Sequence, residues 1–238
     1  MSTLNLLYQK LYKINDEISI VIPTVGEIID NEDSYYSLVS TITAMPIDFM
    51  VQLDSIGVDF TSINEYDLFL LMFETIRSNN TQLIFGDLDL TKFEIAVNEQ
   101  NGKMVLIDRE NEIIIDRAIH NQIASVLRKI HHLEKNRRKP ANDEAKEYML
   151  KRAKEKQRRN RNRKSTSQLE SLIVAMVNAE QYKYDFERTK ELSIYQFNES
   201  VRQVIKKVDY DNKMYGVYTG RINAKELSQD DLNWLSHK

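Results

Sequence analysis

The stretch "KFEIAVNEQNGKMVLID", residues 92–108, decides the fold class. "KFEIAVN" and "KMVLID" flank "EQNG", whose last two residues are Asn101 and Gly102. An Asn-Gly pair supplies the left-handed backbone that tight hairpin turns require. The stretch therefore reads as an antiparallel hairpin over residues 92–107, and "NEIIID" just beyond it suggests a third short strand. Strands this short do not enclose a core by themselves, so helices on either side must supply it.

Upstream, "SINEYDLFLLMFETIRSNN" carries the clearest helical pattern. Asn64 suits the N-cap and Asp67 the N3 position. Leu68, Leu71, Met72 and Ile76 recur at three- and four-residue steps, and Phe69 and Phe73 widen that stripe. "MPIDFMVQLDSIGVDF" predicts a helix with Pro46 in its first turn and a stripe of Phe49, Met50, Leu53 and Ile56, stopped by Gly57. "DSYYSLVSTITAM" suggests another, with Tyr36, Val39 and Ile42 on one face. "ISIVIPTVGEII" (18–29) reads as an early strand, with Pro23 and Gly26 marking its exit.

Downstream, Asp116 looks like the cap of a helix from Arg117 to about Lys135, with Ile119, Ile123, Val126, Leu127 and Ile130 as its apolar face. Ser167 and Glu170 fit the capping box S-x-x-E before "QLESLIVAMVNAEQY", and Ser193 suits a cap for a helix running through Ile194, Phe197, Val201, Val204, Ile205 and Val208. The end of the chain is aromatic and turn-rich, with Gly216 and Gly220 read as breaks. The fold class expected is α+β, mostly helical, with a small antiparallel hairpin in the N-terminal module and a helical C-terminal module.

Composition supports a packed core: 238 residues, 42% hydrophobic and 29% charged, with only 6 Gly and 3 Pro. There is no cysteine, which removes disulfides, thiolate zinc sites and cysteine nucleophiles together. "MSTLNLLYQKLYKIND" lacks a basic region followed by an apolar run, so no signal peptide is expected, and no stretch is long and apolar enough to suggest a membrane span.

Charge divides the chain in three. Residues 1–127 hold 20 acidic and 7 basic side chains, residues 128–164 hold 5 and 16, and residues 165–238 hold 11 and 10. The expected organisation is an acidic α+β module at 1–134, a basic helical or partly disordered connector at 135–166, and a helical C-terminal module with an aromatic tail at 167–238. Within the connector, residues 143–158 have helical composition but no wide apolar face, so a helix there is solvated or held by a partner. Its cations, Lys151, Arg152, Arg158, Arg159, Arg161, Arg163 and Lys164, suit nucleic-acid phosphates or an acidic protein surface, including the chain's own acidic head. Tyr148 is the single aromatic of this stretch, which is thin for base stacking.

No motif carries chemistry. P-loop, G-x-G-x-x-G, G-x-S-x-G and H-E-x-x-H patterns are absent. His131 and His132 are adjacent, so on a helix they point about 100° apart and form no chelate. Asp87 and Asp89 alternate in "IFGDLDL", but the remaining ligands of a calcium loop are missing, and a loop entry is the better reading. No catalytic residue, cofactor site or metal site is expected. The reading is of a protein that is not an enzyme.

Two stretches together carry a resemblance: "DYDNKMYGVYTGRINAKEL" with the later "LNWLSHK", and "MPIDFMVQLDSIGVDF" with "LIFGDLDL". They resemble small proteins of tailed bacteriophages that infect Gram-positive hosts. The chain is similar to the tail-assembly-chaperone type encoded beside the tape-measure protein. The resemblance implies a non-enzymatic protein that keeps the long helical tape measure soluble and helps recruit tail-tube subunits in the cytoplasm of the infected host cell, with virion association left open. The contact surface expected from the residues is the aromatic C-terminal region: Tyr210, Tyr215, Tyr218, Trp234 and Leu235. These side chains either close the protein's own core or offer surface to a partner. The alternative is a nucleic-acid-binding phage protein that uses residues 135–164.

Overall fold

Residues 94–97 and 104–108 form the two strands of the expected hairpin inside a mostly helical α+β molecule. A computed structural model describes residues 4–99, 101–160 and 167–235. In chain order the elements are α1 (Leu4–Tyr8), β1 (Leu11–Lys13), β2 (Ser19–Val21), α2 (Val25–Ile29), α3 (Glu32–Thr43), α4 (Met50–Ser55), α5 (Glu65–Arg77), α6 (Gln82–Phe85), β3 (Glu94–Val97), β4 (Met104–Asp108), β5 (Ile113–Ile115), α7 (Arg117–Ile130), α8 (Asp143–Asn160), α9 (Gln168–Val177), α10 (Phe186–Glu191) and α11 (Ile194–Tyr218). Short 3₁₀ turns lie at Pro46–Phe49, Leu90–Lys92 and Ala224–Glu226.

The strands make two antiparallel sheets, β1–β2 and β3–β4–β5. In the hairpin, Glu94 faces Ile107 and Val97 faces Met104. Gly102 closes the turn at φ +66°, a backbone that a Cβ disfavours, and its N–H donates to the Asn98 carbonyl at 2.8 Å. β5 adds to the other edge of β4, with Leu106 opposite Ile115, and both of these side chains are fully buried.

The main core gathers Ile20 and Ile22 from around β2, Phe69 and Phe73 from α5, Leu106 and Ile115 from the sheet, and Ile123 and Leu127 from α7. Ile173 and Met176 of α9 and Ile194 and Phe197 of α11 join the same core, so the chain after the basic stretch packs directly on the chain before it. A smaller cluster of Ala44, Ile47, Leu53, Phe60 and Leu68 lies beside it, with Met149 of α8 packed against it.

Local chemistry explains most boundaries. Asn64 accepts the N–H groups of Tyr66 and Asp67, and Asp67 accepts the Asn64 N–H, so α5 starts with a reciprocal capping box. Asp116 accepts the Ile119 N–H at 2.8 Å and starts α7, which stops at Ile130, before the expected end near Lys135; His132 then takes φ +52°. The early strand is shorter than expected. It ends at Val21, and "VGEII" is α2, capped by Thr24 and Glu27 in a reciprocal box. The Ser167 box is also resolved differently: Ser167 caps α9 through the Glu170 N–H, while its hydroxyl donates to Glu32 at 2.6 Å. Gly216 is no break. α11 runs through it and ends at Tyr218, with Gly220 at φ +72° just beyond.

Candidate contact surfaces

α11 is 25 residues long, about 37 Å at the rise of an α-helix. Its root is fixed to the body. Ser193 and Gln196 form a capping box, the Ile194 N–H donates to the Pro23 carbonyl at 2.8 Å, and Asn198 Nδ2 donates to the Ile130 carbonyl at 3.0 Å. Ile194, Tyr195 and Phe197 are buried there. Beyond Asn198 every residue of the helix is half-buried or exposed except Gly216. The outer half of α11 therefore stands clear of the main core.

The tail folds back along that outer half. The N–H groups of Arg221 and Ile222 both donate to the Gly216 carbonyl, at 2.8 and 3.0 Å. A Cβ at position 216 would stand 2.5 Å from Ile222 Cδ1, so glycine is what lets Ile222 lie on the helix. Further back, Lys213 bridges Asp209 and Asp231 at 2.5 and 2.6 Å. Gln203 Nε2 donates to the Trp234 carbonyl at 3.2 Å, and the Lys207 ammonium sits 5.7 Å from the Trp234 ring and 5.9 Å from the Tyr210 ring.

The aromatic candidates accordingly divide. Tyr210 and Trp234 are half-buried on the side that carries the tail. Tyr215 is 65% exposed, Tyr218 85% and Leu235 62%. Ile205 (62%) and Val208 (39%) are exposed too. Sequence reasoning counted those two as part of an apolar helix face without seeing that the core does not reach them. Ile205, Val208, Tyr215 and Tyr218 follow one another at steps of three, seven and three residues, a heptad-like spacing on which a second helix can pack, while Val201 and Val204 nearer the root pack against the main core.

The basic helix α8 is docked. Asn142 accepts the Ala145 N–H at 2.8 Å and caps it. Lys146 pairs with Asp59 at 2.5 Å and Lys154 with Asp54 at 2.6 Å, tying it to the acidic N-terminal part. Hydrogen bonds from Lys146 and from Thr61 hold the Asp59 carboxyl down to about 2. Lys151, Arg152, Lys156, Arg158 and Arg159 are exposed, with Arg152 over the Tyr148 ring and Arg159 3.7 Å from Glu155. Arg161, Arg163 and Lys164 lie outside the described residues.

Between α5, α7 and the segment after α7 lies a buried charge cluster. Glu65 accepts hydrogen bonds from Arg128 and Lys135, and Arg128 also donates to the Thr43 carbonyl. Burial pushes the Glu65 carboxyl up, but the two cations outweigh it and hold it below the ordinary carboxylate value. His131 Nε2 lies 2.9 Å from the Tyr35 hydroxyl and His132 Nε2 3.1 Å from Glu199, so the adjacent histidines serve separate structural contacts. Asp89 caps the turn at Leu90, accepting the Thr91 N–H at 2.9 Å, while Asp87 is exposed. Among the described residues no group of three or more His, Asp or Glu is arranged to hold a metal ion, and no helix is long and apolar enough to cross a membrane.

Residues 157–238 match the model of the family described as YomV second domain, a phage-derived family. The match takes in the end of α8, α9, α10, α11 and the returning tail, so the matched part of the chain is the part that carries the projecting helix. No curated protein and no solved structure matches the chain.

Proposed function

We propose that this chain is a phage assembly protein that works by protein–protein contact, without catalysis, and that the outer half of α11 is its contact element. The observation that carries the reading is the exposed apolar seam of Ile205, Val208, Tyr215 and Tyr218 on a helix whose root is locked into the core. A rigid helix that offers apolar anchors at three- and seven-residue steps suits a helical partner, whose own apolar face would cover it. The tail-assembly role implied by the sequence resemblance supplies such a partner: a tape-measure protein is long and helical, and its apolar seam needs cover until tube subunits enclose it. The phage-derived family match to residues 157–238 supports the same setting.

The test is co-expression of the full chain with the tape-measure protein of its own phage. The reading expects the wild type to keep the tape measure in the soluble fraction and the double variant Ile205→Glu, Tyr215→Glu to lose it while keeping its own melting temperature. A tape measure that is equally soluble with either chain, or insoluble with both, contradicts it.

A second reading rests on the outward face of α8, where Lys151, Arg152, Lys156, Arg158 and Arg159 are exposed. These cations suit nonspecific contact with nucleic-acid phosphates. Salt-steep binding of duplex DNA, lost on changing Arg152, Arg158 and Arg159 to Gln, would favour it.

A further inference from the structure

A cleft of about 530 Å³ opens where the segment after α7 crosses the first turns of α5 and α8. That is the size range of small-molecule sites, roughly 300–1,000 Å³. Its walls are of two kinds. Pro46, Phe60, Ile63 and Pro140 form apolar surface, and Arg117, Arg137, Arg138 and Lys139 bring positive charge to the rim. Among the described residues none of these four cations meets a carboxylate. The other lining cations are committed, Lys135 to Glu65 and Lys146 to Asp59. The helix starts at the cleft are likewise capped by Asn64, Asp116 and Asn142, so the four uncommitted side chains set its charge. They face one remaining carboxylate on the wall, Asp143.

We infer that this cleft binds a nucleotide, with its phosphates on Arg117, Arg137, Arg138 and Lys139 and its base or sugar against the Pro46, Phe60 and Pro140 wall. Three of the four cations are arginines, whose planar forks match phosphate oxygens in pairs. The volume of this half-open cleft suits a single nucleotide unit better than an acidic helix, and the apolar wall gives a partner to the uncharged part of the ligand. A free nucleoside triphosphate and a terminal nucleotide of a single strand share this chemistry. The site is independent of the α11 seam and of the outer face of α8.

The experiment titrates the full chain with ATP, with a labelled ten-nucleotide oligo-dT and with polyglutamate at 50 mM and 300 mM salt. Three proteins are compared: wild type, the cleft variant Arg137→Gln, Arg138→Gln, Lys139→Gln, and a control variant Lys151→Gln, Arg152→Gln, Arg158→Gln. We expect saturable binding of ATP or oligo-dT to the wild type, weakened at least about tenfold in the cleft variant and less than about threefold in the control. ATP binding alone assigns a free nucleotide, and oligo-dT binding alone assigns a strand end. Amide NMR shifts at Phe60 and Ile63 on adding ATP or oligo-dT to the wild type locate the ligand even if the cleft variant folds poorly. No binding at 50 mM salt, polyglutamate binding without nucleotide binding, or equal loss in the two variants overturns the inference.

Discussion

The imidazole of His120 stacks on the ring of Phe69 with centroids 4.3 Å apart, wholly buried between α3, α5 and α7. Its Nε2 lies 3.2 Å from the Ile42 carbonyl, and its Nδ1 has no hydrogen-bond partner among the described residues. Burial pushes its pKa down to about 4, and Glu65 opposes that only in part. Burial does the same to His131, also to about 4, with His132 adding to it. Both rings are thus held neutral in the folded chain.

A loss of stability on mild acidification follows. The unfolded histidines take up protons below about pH 6.5, while the folded ones wait until about pH 4. The stabilisation is therefore full above pH 6.5 and is lost as the pH falls from 6.5 towards 4, each ring contributing on the order of 2 kcal/mol. Urea unfolding measured from pH 7.5 to 4.5 should show this slope, and His120→Phe should flatten it. A pH-independent midpoint across that range would contradict the assignment.

Glu65 is the pivot of the buried ion cluster. Glu65→Ala leaves the Arg128 guanidinium, 11% exposed, with the Thr43 carbonyl as its remaining hydrogen-bond partner among the described residues. An uncompensated buried charge costs about 3–5 kcal/mol. Urea titration should show a loss of that size, and Glu65→Ala combined with Arg128→Met should recover part of it.

α8 is attached by the packing of Met149 and by two ion pairs that are partly open to solvent, Lys146–Asp59 and Lys154–Asp54. Such pairs contribute about 0.2–1 kcal/mol each and weaken with salt. Lys146→Gln with Lys154→Gln should speed amide hydrogen exchange in α8 and leave α5 and α7 unchanged. Raising salt to 0.5 M should speed it in the wild type in the same way.

Gly216 holds the tail down. Gly216→Val places side-chain atoms where Ile222 now lies, so the returning tail must lift. The emission of Trp234, the single tryptophan, should shift to the red as it leaves Lys207, and exchange at residues 222–235 should quicken. Unchanged emission would mean that the tail is held by something other than the Ile222 contact.

Much of this architecture was legible in the sequence because it is local. The Asn101-Gly102 turn, the Asn64–Asp67 box and the Asp116 cap each act within a few residues, and each element starts or turns where its signal stands. Some misreadings were local, and others came where distant contacts decide. Thr24 and Glu27 carry a capping box, yet the β-branched run before Pro23 masked the helix that follows. Gly216 lies in the last turn of α11 and gives Ile222 the space to lie on the helix, a contact that its glycine identity alone does not announce. Ser167 turns to Glu32, and α8 is tied to Asp54 and Asp59, across separations of 87 to 135 residues. The exposure of Ile205 and Val208 was hidden for the same reason, since a helical stripe does not reveal where its cover ends.

The proposed contact role of α11 is tested most directly by hydrogen–deuterium exchange on the wild-type chain, alone and saturated with the tape-measure protein proposed as its partner. The account predicts that amides of residues 201–218 slow on complex formation while those of α5 and α7 keep their rates. A complex that forms with exchange in α11 unchanged, or no complex at all, would contradict it.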